Sequence, residues 1–136
     1  MNKKIVAIFT LALVLNLVWE FSHAVLYVGY KGGEITNYIL TRAAFWDAVI
    51  LTLLSLIFLK IRYFTLRQWL ILPIGIAIAY IIEVYALNTG RWEYNQLMPI
   101  VPLLKVGLSP LVQLAITGYI AFIVSVSLYT NDRKAS

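Results

Sequence analysis

The chain has 136 residues, of which 62% are hydrophobic and 12% charged, with a formal net charge of +5 and a mean hydropathy of +0.85. A soluble domain of this size keeps too large a share of its surface in water to hide so much apolar side chain, so composition points to lipid as the solvent. The absence of cysteine excludes disulfides, thiolate metal sites and cysteine nucleophiles.

Four apolar segments follow one another along a single domain covering residues 1–136. They span about 5–27, 39–59, 66–87 and 110–129. Each is about 20 residues, enough to cross a ~30 Å hydrocarbon core as a helix. Helices are expected because lipid offers no partner for open backbone groups. The expected fold is therefore all-α, a four-helix integral membrane bundle. MNKK followed by an apolar run has the outline of a signal peptide. The length of that run, with Trp19 and Glu20 inside it and a poor cleavage sequence at Ser22-His23-Ala24, reads instead as a membrane anchor.

Local chemistry marks the boundaries. Gly32-Gly33 breaks the chain between the first two spans. Thr65 with Gln68 fits a capping box opening the third helix. Pro73 is expected to kink that helix near its first turns. Ser109 before Pro110 fits an N-cap with proline at the first helical position.

Lys and Arg set the expected orientation. Lys3, Lys4, Lys60, Arg62, Arg67, Arg133 and Lys134 fall on one side; Lys31, Arg42, Arg91 and Lys105 fall on the other. The positive-inside rule then puts both termini in the cytoplasm of a multi-pass cell-membrane protein. Basic residues clustered at the ends of apolar runs suit anionic lipid better than nucleic acid, which is not an expected partner.

Polar residues inside the spans carry the functional signal. Asn16, Glu20, His23 and Tyr27 are spaced to share one helical face. Gly75, Ala79, Glu83 and Ala86 form a second stripe, and Gln113, Thr117, Ala121 and Ser125 a third. Asp47, with Ala44 beside it, comes from the second span. At 1.5 Å per residue, Glu20 lies roughly 6 Å, Asp47 about 3 Å, and Glu83 and Gln113 about 10 Å to the outer side of their midpoints. Glu20, His23, Asp47, Glu83 and Gln113 thus fall in one layer. Charges at such depth are costly and mark functional sites. Three carboxyls this close cannot all ionise cheaply.

Residues 88–110 follow Glu83 on the same side. Their aromatic and aliphatic content, with Pro99 and Pro102, reads as an ordered cap over the bundle. Arg91 is placed to pair with Glu83 or Glu93, or to bind a lipid phosphate.

Glu20, His23, Asp47 and Glu83 are therefore the candidate catalytic residues. Asn16, Trp19, Arg91, Trp92, Tyr94 and Gln113 are the candidate substrate-binding residues. A carboxylic acid in an apolar pocket can protonate an alkene beside an aromatic wall such as Trp19, Tyr80 or Trp92. The leading expectation is binding or acid/base processing of an apolar, isoprenoid-like lipid. Glu20-x-x-His23 has the spacing of di-metal carboxylate bundles, but those need a second such motif, and this chain has one His. No metal or other cofactor is expected, since no P-loop, dinucleotide fingerprint or H-E-x-x-H motif occurs. The alternatives are a non-catalytic membrane subunit or a small proton or cation transporter. The expected partners are membrane lipid and either a second copy of the chain or another membrane protein.

The stretch EVYALNTGRWEY, with Glu83, Gly90, Trp92 and Tyr94, resembles the lycopene-cyclase-type domain of carotenoid-synthesis membrane proteins. That resemblance covers about a sixth of the chain. It departs from the family's pattern at Gly107–Gln113, where GLSPLVQ lacks the paired acids. The wider pattern, WE..H..LY, Asp47, GRWEY...MP and GLSP..Q, resembles an uncharacterised family of small bacterial four-span membrane proteins and implies the same architecture.

Overall fold

The computed structural model describes residues 2–131 and is mostly helical. Arg133 and Lys134, counted above toward orientation, lie outside the described residues. α1 covers Asn2–His23, α2 Asn37–Lys60, the short α3 Arg62–Thr65, α4 Ile71–Asn88 and α5 Leu108–Asn131. Four of these helices are long and apolar enough to cross a membrane. Their apolar residues run all round, so no single face distinguishes core from exterior. The stripes of small and polar residues do.

α1 packs against α2 and α5, and α4 packs against α5. These contacts are close because small residues sit in them. Ala12, Ala48, Ala79 and Ala121 join Leu51 and Leu114 in one buried cluster. A Cβ on Gly75 would lie 2.7 Å from the Cα of Ala115, so glycine alone lets α4 meet α5 at that point. A second cluster holds Ile8, Leu54, Phe58, Ile71 and Phe122, and it draws α2 and α4 together at the α3 end. Toward the other end α2 and α4 make no extensive contact with each other.

That other end carries a small cap of strands. β1 (Tyr27–Tyr30) pairs antiparallel with β2 (Trp92–Tyr94), and β3 (Ile100–Val101) with β4 (Val106–Gly107). Between β1 and α2, Lys31 and Gly32 have φ of 49° and 76°, and Tyr30 and Gly33 bond each other's backbone. Two successive positive φ angles define the tight turn that follows the natural twist of a strand pair. Residues 88–110 are thus ordered, and they are held to the first span by backbone pairing.

Four local expectations need correction. Tyr27 does not continue the α1 face; the helix ends at His23, and Tyr27 opens β1. Thr65 is no cap for α4: it ends α3, and its hydroxyl donates to the Phe58 carbonyl at 2.6 Å. Pro73 lies in the first turn of α4, where its missing N–H costs no intrahelical bond, so it gives no cause for a kink. Ser109 is the second residue of α5, and its hydroxyl faces α1 instead of capping its own helix.

The α4–α5 contact makes a simple prediction. Gly75→Ala forces a Cβ into backbone and should cost about 1–3 kcal/mol, read as a lower Tm in detergent. Ala77→Leu, at an exposed position on the same helix, should change Tm little. Equal Tm values for both variants would refute the close approach.

Candidate functional site

Gln113 is the hub of the polar layer. Its Nε2 lies 3.0 Å from Asn16 Oδ1, 2.7 Å from Glu20 Oε1 and 2.9 Å from Asp47 Oδ2. One amide on α5 thus gathers side chains from α1 and α2. An amide nitrogen has two protons, so three oxygens share two donors. The Glu20 and Asp47 carboxyls thus meet at one amide.

Below this hub the bonds run only between α1 and α5. Asn16 donates to Thr117 Oγ1 at 3.2 Å and to its own helix at the Ala12 carbonyl. Thr117 donates to the Gln113 carbonyl at 2.8 Å. Asn16 is fully buried, and its four-residue spacing from Glu20 places both on the α1 face that meets α5. Ser125 completes the α5 stripe, but its buried hydroxyl has no partner among the described residues.

Glu83 belongs to a second group. It is buried on α4, and Tyr94 of β2 donates its hydroxyl to Glu83 Oε2. The same oxygen of Tyr94 accepts the Gly107 N–H at 3.1 Å. Tyr94 therefore clips both strand pairs of the cap to α4. Burial first, and then the bond to Glu83, push the Tyr94 phenol above the usual tyrosine range. Burial, and then the charge of Glu83, do the same to Tyr27.

The gap between α2 and α4 encloses a cavity of about 540 Å³. Glu20, Asp47, Glu83 and Gln113 line it, with apolar walls from Ile50, Ala79 and Leu114. Its rim includes Trp46 on α2 and Ile81 and Tyr85 on α4, all more than half exposed on the flank of the bundle. The cavity therefore opens sideways between two helices. Arg42, Arg91, Tyr30 and Trp92 line it toward the cap. Arg42 donates to the Tyr30 hydroxyl at 2.7 Å, and Arg91 lies over the Tyr85 ring. Arg91 does not pair with Glu83 or Glu93: the one ion-pair contact among the described residues joins His23 and Glu20.

The ten candidate residues divide accordingly. Glu20, Asp47, Glu83, Gln113, Arg91 and Trp92 share the cavity. Asn16 is sealed in the α1–α5 contact, and Tyr94 holds the cap. His23 and Trp19 face the opposite side of α1, toward a second cavity. That division follows from α1 lying between α2 and α5, so one helix lines two spaces. The four acid and histidine side chains are not gathered as a metal site would require: no group of three or more such residues among the described residues is arranged to hold a metal.

Two residues beside these cavities were not among the ten candidates. Arg42 reaches the first cavity from an exposed turn of α2; the sequence offers it as one of several cations near the carboxyls, and no spacing rule singles it out. Ser109 contacts His23 across 86 residues of chain; its position before Pro110 looked like a cap. The chain matches no protein-family model, no curated protein and no solved structure.

Two predictions follow from the hub and the clip. Gln113→Leu leaves buried acceptors unpaired, each costing about 1–3 kcal/mol. Adding Asn16→Leu removes one acceptor too, so the double variant should recover part of the loss. A double-mutant coupling near zero in denaturation would remove Gln113 from the centre of the network. For Tyr94 the folded pKa lies above the unfolded one. Its stabilising share is full below about pH 10 and is lost as pH rises past that value. Tyr94→Phe should therefore lower Tm more at pH 7 than at pH 11, and an equal drop at both would mean the phenol is not held by Glu83.

Proposed function

We propose that this is a multi-pass membrane protein, with both termini cytoplasmic, that binds an apolar, isoprenoid-like lipid in the α2–α4 cavity and acts on it by acid/base chemistry. The observation that carries this reading is the sideways opening of a cavity floored by carboxyl groups. A soluble ligand gains nothing from an opening between two apolar helices. A lipid enters there without leaving the bilayer. The cavity volume falls in the ~300–1,000 Å³ range of small-molecule sites, which combine apolar walls with a few polar groups.

The polar end of the cavity suits proton transfer. Glu20 and Asp47 meet at the Gln113 amide, and Glu83 is a third carboxyl on the facing helix. A carboxylic acid kept neutral by an apolar site can donate to an alkene or carbonyl. Trp92 and Tyr30, packed edge to face at 4.8 Å between ring centres, line the cavity with aromatic rings of the kind that stabilise a developing cation.

A second reading, in which the polar layer only fixes helix packing, is favoured by Asn16 and Thr117, whose bonds all run within the α1–α5 contact. It accounts for the bonds of Asp47 to Gln113 and of Glu83 to Tyr94, but not for the open cavity that both line.

Mass spectrometry of the organic extract of the gently purified protein tests the choice, with wild type beside Glu83→Gln. We expect one apolar lipid enriched over bulk membrane in wild type and depleted or altered in the variant. Extracts that both match bulk lipid, with a variant that is merely less stable, would overturn the lipid reading.

A further inference from the structure

Three side chains form a relay that runs from Ser109 on the far side of α1 to Glu20 at the edge of that cavity. Ser109 Oγ lies 2.8 Å from His23 Nδ1, and His23 Nε2 lies 3.4 Å from Glu20 Oε2. Trp19 donates its indole N–H to Ser109 Oγ at 3.2 Å. These contacts accommodate the arrangement of protons that a nucleophile needs. With Trp19 donating to Ser109, the serine proton is free to point to His23 Nδ1. The imidazole proton then sits on Nε2 and points to Glu20, whose carboxylate accepts. This is the proton pattern of a serine nucleophile, a histidine base and a carboxylate that orients the base. Either imidazole nitrogen can act as the base, and here it is Nδ1. The histidine–carboxylate contact is long, as such contacts often are before substrate tightens them.

The surroundings fit a nucleophile better than a buried structural serine. Ser109, His23 and Trp19 line the second cavity, of about 450 Å³. Apolar walls come from residues such as Leu15, Leu26, Ile116 and Ile120, with Ser22 and Thr117 as further polar lining, and Val18 and Val25 are more than half exposed on the flank. Ser109 is in the first turn of α5. In that turn the Leu108 N–H is bonded to the Pro99 carbonyl and Pro110 has no N–H, which leaves the N–H of Ser109 itself as a donor beside the nucleophile, and the positive end of the dipole favours a developing negative charge there. In a bilayer, the end of a spanning helix lies at the boundary between hydrocarbon and headgroups. Acyl ester linkages lie at that boundary, with their chains running inward along a flank such as this groove.

We propose that Ser109, His23 and Glu20 form an esterase or acyl-transfer site for lipid esters, which opens to the second cavity and shares only Glu20 with the acid-lined one. In the first step Ser109 Oγ forms a bond to the ester carbonyl carbon, the carbonyl π pair moves to oxygen, and the serine proton passes to His23 Nδ1. The carbon–oxygen bond to the alcohol then breaks, and His23 returns the proton to the departing alcohol oxygen. Water, or a second lipid alcohol, attacks the acyl-serine by the same route, releasing acid or a new ester and restoring the Ser109 hydroxyl. Glu20 is a positioning residue that holds the imidazole in the required tautomer. The apolar groove takes the acyl chain.

The full-length protein in detergent, treated with a long-chain alkyl fluorophosphonate, tests this directly. Attack by Ser109 displaces fluoride and leaves a phosphonyl adduct that peptide mass spectrometry locates. We expect the adduct on Ser109 in wild type. Removing a general base typically costs about 10²–10⁴-fold, so His23→Ala should slow labelling by at least about 100-fold. Glu20→Gln should lower the rate at saturating probe while leaving the half-saturating concentration nearly unchanged, with Glu20→Asp restoring part of the rate. Ile116→Trp, which fills the groove, should shift preference from long-chain to short-chain probes. No adduct on Ser109 in wild type of undiminished Tm would overturn the proposal, as would equal labelling rates in wild type and His23→Ala. The wild-type adduct needs no variant to fold, and neither result bears on lipid held in the other cavity.

Discussion

The amide of Gln113 is the interaction on which the rest of the bundle depends. A polar group in an apolar interior must find a partner or cost several kcal/mol. Asn16, Glu20 and Asp47 solve that problem with one shared donor on α5. The consequence is geometric. Apolar contacts among Leu, Ile and Val tolerate sliding by a fraction of a turn, whereas three oxygens around one nitrogen do not. The hub fixes the depth of α1 and α2 against α5, and with it the level of every other polar side chain.

The same arrangement explains why a cavity exists at all. α2 is tied to α1 and α5 near the cap end, and α4 is tied to α5 by the Gly75–Ala115 approach. Nothing ties α2 to α4 there. At the α3 end the Phe58, Ile71 and Phe122 cluster closes the gap, so the two helices diverge from a packed base. The strands then bridge the open end: β1 follows α1, β2 follows α4, and their pairing spans the bundle. Tyr94 fixes that bridge to α4 at Glu83. A space with a packed base, a roof and one open flank is what remains.

Much of this was legible in the sequence because lipid-length apolar runs and four-residue spacing are strong signals. Gly75, Ala79, Glu83 and Ala86 are buried on one face of α4, as their spacing implied, and Gln113, Thr117, Ala121 and Ser125 are buried on α5. Depth along each helix put the acids in one layer, and Gln113 does bring Glu20 and Asp47 together. Spacing says nothing about rotation of one helix against another, so the division of α1 between two cavities was hidden. His23 follows Glu20 by three residues and was grouped with it, yet that offset carries it round toward Ser109. The strands were hidden for a different reason. Two- to four-residue strands are too short to show alternation, and Tyr27–Tyr30 reads as a continuation of an apolar run. Ser109 illustrates the limit of local rules: Ser-Pro at a helix start is a cap by propensity, and a contact 86 residues away overrides it.

Glu20 is the residue at which the two sides of the molecule meet. Its Oε1 faces the Gln113 amide and its Oε2 faces His23. The two oxygens belong to one rigid plane, so rotation about the terminal bond cannot improve one contact without moving the other. The hub bond is the shorter, at 2.7 Å against 3.4 Å, and it is anchored by a donor that also holds Asn16 and Asp47. The histidine contact is therefore the one that yields. His23 must take its orientation from Ser109 on one side and the Tyr27 ring on the other, packed edge-on at 5.2 Å. The cap thereby reaches into the second cavity as well as the first, since Tyr27 also packs against Trp92 and Tyr94. One ring and one carboxylate thus connect the strands to the linings of both spaces.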